Sequence, residues 1–232
     1  LSMPGCGTSL GLPELTIREA ADQGAKSFIL GLANSGGRIA DSWLPYIRQA
    51  LEHGMDVASG LHQKVGDISE IRELADRLGR RGFDVRHPGR ALPAGTGKKR
   101  PGRRILAVGT DCSVGKMYTA LALERAMKER GLNVDFRATG QTGILIKGGG
   151  ISVDAVVAAF ISGAVDHLPP ANTPDHRAVI EGQRPLLHPS FAGASLCPLH
   201  RTHPYAPFFC LEAAPSPLPR LHLYPTLAFP RV

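Results

Sequence analysis

A glycine-rich run that ends in lysine is the part of this sequence best suited to binding phosphate. Backbone N–H groups can surround a phosphate when the chain curls closely at the start of a helix. Gly109 and Gly115 allow that curl, and Lys116 can reach a terminal phosphate. The run predicts binding of a nucleotide or a nucleotide-bearing cofactor by Gly109, Thr110, Asp111, Cys112, Ser113, Val114, Gly115, Lys116 and Met117.

The residue after the loop lysine bears on which cofactor binds. Most loops of this kind have Ser or Thr there, whose hydroxyl holds magnesium, but this chain has Met117. Thr119 is two residues further, roughly 200 degrees around the helix, and should point away from the phosphates. Because magnesium neutralises charge during phosphoryl transfer, its weakened site argues against ordinary ATP hydrolysis. We predict no bound metal.

Two carboxylates are candidates for catalysis. Asp111 lies inside the loop, and Glu181 follows a short apolar strand at residues 178–180. Either side chain could accept a proton or bind a metal. A purely structural role stays open for each.

The elements around these residues predict an α/β protein. Strand-length apolar runs at residues 27–32, 56–59 and 83–86 alternate with helices at 42–53, after a capping box at Asp67–Glu70, and after Thr16. A second alternation has strands at 104–108, 134–137 and 178–180 and helices at 117–130 and 153–165. Such alternation is typical of parallel sheets, whose ligands collect beyond the carboxyl ends of the strands.

A basic segment separates the two halves. Of the net charge of +7, five positive charges lie close together among Pro and Gly: Lys98, Lys99, Arg100, Arg103 and Arg104. No aromatic residues interleave with them to stack on bases, so we predict a solvated linker and no nucleic-acid partner. The predicted domains are residues 1–92, the linker 93–103, and 104–232.

The remaining features concern the compartment and the tail. No stretch approaches the roughly 18 apolar residues of a membrane span, the start lacks the pattern of a secretory signal, and the four cysteines are scattered. We therefore expect a soluble cytoplasmic protein that does not bind membranes. From Pro185 onward no clear period remains, and the proline-rich end predicts neither an ordinary helix nor a central strand.

Several motifs together resemble the DgcN-type D-glutamate N-acetyltransferases. The phosphate loop is the first, and the resemblance extends from the first residue to about Gly193. The others are Met3-Pro-Gly-Cys-Gly, Ala58-Ser-Gly-Leu-His62, Arg137-Ala-Thr-Gly-Gln-Thr-Gly143, Val179-Ile-Glu-Gly-Gln183 and His188-Pro-Ser-Phe-Ala-Gly193.

The resemblance implies a fold and an activity. The fold is a Rossmann-like N-terminal domain followed by a P-loop NTPase-like parallel α/β domain. The activity is acetyl transfer from acetyl-CoA to the amino group of D-glutamate, in D-amino-acid catabolism, with the loop holding the cofactor phosphates. The acidic amino acid is then the small-molecule partner, and a homo-oligomer is compatible with the resemblance. Candidate substrate-binding residues within the motifs are Arg137, Thr139, Gln141, Thr142 and His188.

Two departures from the family pattern accompany the resemblance. Arg184 stands where the family has glycine, and the family continues well beyond the position of Val232. We therefore expect the C-terminal part of the P-loop domain to be truncated. Alternative functions are an ATP-dependent ligase or kinase resembling dethiobiotin synthetase, using ATP with magnesium, and a non-catalytic nucleotide-binding protein.

Overall fold

The computed structural model describes residues 11–211, apart from 33, 35, 90, 113, 170–171, 187–196 and 201. The chain divides into two compact units, with the division between His87 and Pro88. All the paired strands in both units are parallel, which confirms the predicted α/β class. Within the described ranges, each helix is too short or too polar to cross a membrane.

The first unit contains a three-stranded sheet and three helices. Its elements are α1 (Ile17–Asp22), β1 (Ser27–Leu30), α2 (Leu44–Glu52), β2 (Asp56–Ser59), α3 (Ser69–Leu78) and β3 (Gly82–Asp84). The strand order is β1-β2-β3. Ile47 and Leu51 of α2 and Ile71 of α3 are buried in one apolar core with Val57 of β2. The apolar faces of the helices therefore cover the sheet, as their sequence period predicts.

Two helix starts predicted from the sequence have different outcomes. The start after Thr16 is confirmed and has a capping box, because Thr16 Oγ1 accepts from Glu19 N at 3.2 Å and Glu19 Oε2 accepts from Thr16 N at 2.7 Å. The box predicted at Asp67 is wrong, since α3 begins at Ser69 with no side-chain cap. Asp67 ends a short 3-10 turn whose first residue, Val65, donates its N–H to Asp84 at 2.7 Å. This tertiary bond fixes the turn, so the helix begins after it.

In its described residues the second unit contains a four-stranded sheet, three helices and a short helical segment at 197–200. Its elements are β4 (Arg103–Gly109), α4 (Lys116–Glu129), β5 (Val134–Arg137), α5 (Gln141–Lys147), α6 (Ala158–His167), β6 (Arg177–Ile180) and β7 (Ala206–Cys210). The strand order is β5-β6-β4-β7. Register pairs Leu106 with Ile180 and Ile180 with Arg137, so three strands reach the same edge. Parallel sheets bind ligands beyond this carboxyl edge.

Three parts of the second unit differ from the sequence prediction. The sequence pattern predicts no helix at 141–147, where α5 forms with Gly140 as its N-cap. The helix predicted at 153–165 is divided into a 3-10 turn, Val153–Ala155, and α6. The sequence does not predict β7, because Pro207 and the irregular pattern around it argue against a strand. In the described sheet β7 is an edge strand paired with β4, and proline is tolerated at an edge.

The basic segment between the halves is partly buried. Thr96 N donates to Asp166 Oδ2 at 2.8 Å, and Arg100 forms an ion pair with Asp166 at 3.4 Å. Arg104 is buried and donates to the carbonyl of Arg100 at 3.1 Å. The prediction of a solvated run is therefore wrong for these two arginines. A carboxylate and backbone carbonyls replace the water that a charge run would otherwise require.

Gly163 of α6 tests this packing. A Cβ at this position would lie 1.6 Å from the carbonyl oxygen of Pro93, so Gly163→Ala must displace backbone. We expect the free energy of unfolding to fall by about 2 kcal/mol, because overpacking outweighs the gain of about 1 kcal/mol in helix propensity. Thermal unfolding should show a Tm lower by roughly 5 °C or more. Gly149→Ala, which has no atom within 4 Å of its new Cβ, is the control. Equal Tm values for the two variants would contradict the packing of Pro93 on α6.

Candidate active site

The phosphate loop has the tight curl that its glycines predict. Gly109 ends β4, and a Cβ there would lie 2.6 Å from Val114 Cγ2 and 3.0 Å from the carbonyl oxygen of Cys210. Gly115 is the N-cap of α4 with φ of 87°, in the left-handed region that favours glycine. Both glycines are therefore required by the local geometry.

The first turn of α4 is the part of the loop region best suited to donate backbone hydrogen bonds to an anion. Two loop amides are already used, since Thr110 N donates to Cys210 O at 3.2 Å and Cys112 N donates to Asp111 Oδ1 at 2.6 Å. The first N–H groups of a helix have no partner within the helix. A phosphate would therefore bind at the first turn of α4, where the helix dipole also favours negative charge.

Lys116 begins α4 and is buried beneath the loop. It is 6% exposed, and its Nζ donates to the carbonyl oxygen of Asp111 at 2.5 Å. Burial lowers the pKa of Lys116, and the neighbouring groups Cys112, Cys210, Asp111 and Glu181 act in the opposite direction. The carboxylates of Asp111 and Glu181 thus favour the charged form of Lys116 in an environment that largely excludes water.

Glu181 follows β6 and is fixed by the turn after β5. It is 4% exposed, and its Oε2 accepts from Thr139 N at 3.0 Å and Gly140 N at 3.2 Å. Burial raises the pKa of Glu181 above its ordinary value, against the lowering effect of these amides and of Lys116, while Asp154 raises it further. A carboxyl with a raised pKa is suited to accept and return a proton near neutral pH.

These groups line one cleft of about 300 Å³ in the second unit. Lys116, Gln141, Thr142 and Gln183, whose side chains carry donors, line this cleft together with Glu181. Such a cleft suits a small acidic molecule that carries an amino group, because the donors can bind carboxylates and Glu181 can take a proton from the ammonium. The lining residues are Gly115, Lys116, Met117, Tyr118, Gln141, Thr142, Glu181, Gly182 and Gln183.

Gln183 was not among the residues predicted for the site. Its Nε2 donates to Gln141 Oε1 at 3.3 Å. Its Oε1 occupies space that a Cβ at position 140 would fill, at 1.8 Å, so Gly140 leaves room for this side chain. The available signal was its place two residues after Glu181, at the carboxyl end of a buried strand.

The structure separates other predicted site residues from this cleft. Arg137 lines a second cleft, of about 340 Å³, together with Lys147, and forms an ion pair with Asp135. Thr139 is buried, and its hydroxyl donates to the carbonyl oxygen of Glu181 at 2.7 Å. Asp111, which belongs to the phosphate loop, is buried. Ser113 and His188 lie outside the described residues. The roles assigned to all these residues stay predictions.

The donor chemistry of the cleft is that of a phosphate or carboxylate site. Among the residues that the structure describes, no group of three or more His, Cys, Asp or Glu side chains is arranged to hold a metal ion. Met117, a thioether, lies in the cleft at the position where a hydroxyl would hold magnesium. Glu181 Oε2 and Asp111 Oδ1 already accept bonds from backbone amides.

Two family models match the chain. A domain of unknown function (DUF1611_N), described as a Rossmann-like domain, matches residues 2–88. A second domain of unknown function, DUF1611_C, described as a P-loop domain, matches residues 93–228. The fold is also similar to the crystal structure of a DUF1611 family protein from Anabaena variabilis, with a TM-score of 0.76 and 34% identity. That similarity covers 84% of this chain and 57% of the other.

Two proteins named D-glutamate N-acetyltransferase share about 50% sequence identity with this chain. A D-glutamate N-acetyltransferase of a Pseudoalteromonas species is 52% identical over 210 residues, which are 90% of this chain and 63% of the relative. A D-glutamate N-acetyltransferase of Tritonibacter scottomollicae is 49% identical over 212 residues, which are 91% of this chain and 64% of the relative. The chain thus spans a little under two thirds of the length of these relatives.

Proposed function

The chain belongs to the DUF1611 family, with its Rossmann-like domain followed by its P-loop domain, and from this premise we propose that it transfers an acetyl group to the amino group of D-glutamate. The two relatives that are about half identical carry that name. The observation that carries the proposal is the placement of Glu181 in the same cleft as Lys116. A buried base and a buried cation are then available to one acidic amino acid.

Glu181 supplies the proton transfer that the reaction requires. The amino group of an amino acid is an ammonium ion at neutral pH, and only the neutral amine has a lone pair for attack. Glu181 takes this proton, and the amine attacks the carbonyl carbon of the acetyl thioester. The carbon–sulfur bond breaks and the thiolate leaves with the bonding electrons. The nitrogen loses its second proton as the amide forms, and that proton neutralises the thiolate. The pKa of Glu181, raised by burial, lets the carboxylate hold the proton during this step.

Acetyl-CoA is the proposed donor, with its phosphates at the start of α4. Lys116 and the first-turn amides of α4 are the groups that would hold them, and this requires Lys116 to leave the carbonyl of Asp111. Gln141, Thr142 and Gln183 are the donors proposed for the carboxylates of the acceptor. Acetyl-CoA contains phosphate but needs no phosphoryl transfer, so Met117 is no obstacle to this chemistry.

Transfer can be measured directly on the purified chain. We expect release of the CoA thiol from acetyl-CoA when D-glutamate is added, and formation of N-acetyl-D-glutamate by mass spectrometry. We also expect acetyl-CoA to raise the Tm without magnesium, because a ligand that binds only the folded state stabilises it. L-glutamate is the matched control for the acceptor.

The other outcomes have equally clear meanings. Turnover of ATP with magnesium, together with stabilisation by that pair alone, would replace the proposal with a ligase or kinase. Strong stabilisation by a nucleotide with no turnover of any acyl donor would indicate a non-catalytic binding protein. Acetyl transfer to an amine other than D-glutamate would retain the reaction and overturn the acceptor.

A further inference from the structure

Asp154 is a buried carboxylate that pairs with an arginine, a contact that the sequence pattern does not predict. It lies in the 3-10 turn Val153–Ala155, and its side chain is 3% exposed. Its Oδ2 accepts from Arg184 Nη2 at 2.9 Å, and its Oδ1 accepts from the hydroxyl of Ser152 at 2.7 Å. A buried carboxylate requires such a partner, because an uncompensated charge is costly away from water.

The backbone of Arg184 does not have the positive φ that would favour glycine. The family resemblance implies glycine at this position, whereas this chain has arginine. Among the described residues, His203 is the one non-glycine residue with a positive φ, so the backbone of Arg184 is unstrained in this respect. Its side chain is 21% exposed, which lets the guanidinium pair with Asp154 while keeping contact with water.

The turn that carries Asp154 is hydrogen-bonded to the turn that holds Glu181. Val153 N donates to the carbonyl oxygen of Thr139 at 3.1 Å. Thr139 in turn donates its N–H to Glu181 Oε2 at 3.0 Å and its hydroxyl to the carbonyl oxygen of Glu181 at 2.7 Å. Thr139 is therefore hydrogen-bonded both to the turn that carries Asp154 and to Glu181. A shift of that turn moves Thr139 and, with it, the hydrogen bonds that hold the Glu181 carboxyl.

The carboxyl of Glu181 has little room to move. A Cβ at Gly143 of α5 would lie 2.3 Å from Glu181 Oε2, so α5 already packs closely against this oxygen. In a densely packed site, a displacement of one wall cannot be absorbed by empty space. The position of the carboxyl thus depends on Thr139 and, through it, on the Asp154 turn.

The electrostatic surroundings of Glu181 connect the same groups. Lys116 of α4 favours the charged form of Glu181, and Asp154 disfavours it. The groups that face Lys116 include Asp111, Cys112 and Cys210. Asp154 is itself paired with its counter-ion, Arg184. The charge of Asp154 is therefore a negative influence on the proposed base.

From this arrangement we propose that the Asp154–Arg184 pair is a positioning device for Glu181, which holds its carboxyl in place through Thr139 and contributes charge to its surroundings. Asp154 acts through Glu181 and does not need to touch the substrate. The inference rests on the proposed function only in calling Glu181 the base. The hydrogen bonds and the charge coupling can be tested without turnover.

The test is a titration of the Glu181 carboxyl by carbon NMR, with Glu181→Gln used to identify its signal. We expect Asp154→Asn to lower the titration midpoint by about half a unit or more, because a nearby negative charge is removed. The double variant Asp154→Asn with Arg184→Gln should show a smaller lowering, because the neighbouring cation is removed together with the anion. Where acetyl transfer is measurable, the acid limb of kcat/KM should move in the same direction.

The matched control is Asp166→Asn, which removes another partly buried carboxylate paired with an arginine, Arg100. It should lower the Tm and leave the midpoint of Glu181 unchanged. Arg184→Gln alone should also lower the Tm, and the double variant should recover most of that loss, because no buried charge is then unpaired. A midpoint that is unchanged in both Asp154 variants would overturn the inference. Absence of acetyl transfer with a shifted midpoint would overturn the proposed function and support the coupling.

Discussion

Glu181→Gln is expected to lower kcat for acetyl transfer by about 100- to 10,000-fold, the range typical for loss of a general base. The amide has nearly the shape of the carboxyl and can still accept hydrogen bonds from Thr139 N and Gly140 N. It cannot take a proton from the substrate ammonium. The loss should therefore appear in kcat, measured by CoA thiol release at saturating D-glutamate, while the Tm stays close to that of the original chain.

Glu124→Gln is the matched control for this substitution. Glu124 belongs to the same unit, and its side chain is 13% exposed. It too accepts a backbone bond, from Phe136 N at 2.9 Å, but it contacts Lys128 and Lys147 instead of the cleft groups. This variant should retain kcat within about twofold, since surface-type ion pairs contribute little. A Glu181→Gln variant with more than a tenth of the original kcat would mean that Glu181 only holds the turn after β5.

The pH dependence follows from the direction of the pKa shift of Glu181. A base works in its deprotonated form, so kcat/KM must fall as the pH falls through its pKa. Because burial raises that pKa, the acid limb should lie above the ordinary range of glutamate. A limb at or below that range would indicate either that another group is the base or that the carboxyl is more solvated than its burial implies.

The sequence predicts best those parts of the site that depend on local structure. Strand β4, the glycine loop and helix α4 follow one another in the chain, so their types and spacing identify them together. The position of Glu181 can also be predicted from the sequence, because a short buried strand places the residue that follows it at the carboxyl edge of the sheet. The confirmed Rossmann-like and P-loop domains rest on the same local patterns.

The parts that the sequence does not predict depend on contacts between distant residues. Asp154 pairs with a residue 30 positions later, and Gln183 contacts Gln141 across 42 positions. Strand β7 exists because β4 offers it an edge, which overrides the weak strand pattern around Pro207. Arg100 can be partly buried because Asp166 lies opposite it. Nothing in the local pattern of these residues indicates which partner the fold brings to them.

Lys116→Met is expected to raise the KM for acetyl-CoA by roughly 10- to 100-fold, the loss that corresponds to charged hydrogen bonds to phosphate. Methionine fills much of the same buried space without the charge, so the Tm should not fall. Lys147→Ala, in the separate cleft beside Arg137, is the control and should leave this KM unchanged. The variant also decides which anion Lys116 binds, because acetyl-pantetheine carries the thioester without the phosphates of CoA.

The distance between phosphate and thioester makes this comparison informative. An extended pantetheine arm is about 14 Å long, comparable to about four extended residues. Lys116 and Glu181 line one cleft of about 300 Å³, so both can act on one acetyl-CoA molecule only if the arm folds back. If Lys116 holds the phosphates, Lys116→Met should raise the KM for acetyl-CoA and leave that for acetyl-pantetheine unchanged. If the KM for D-glutamate rises instead, with either donor, then Lys116 binds a carboxylate of the acceptor and the loop serves the acidic substrate.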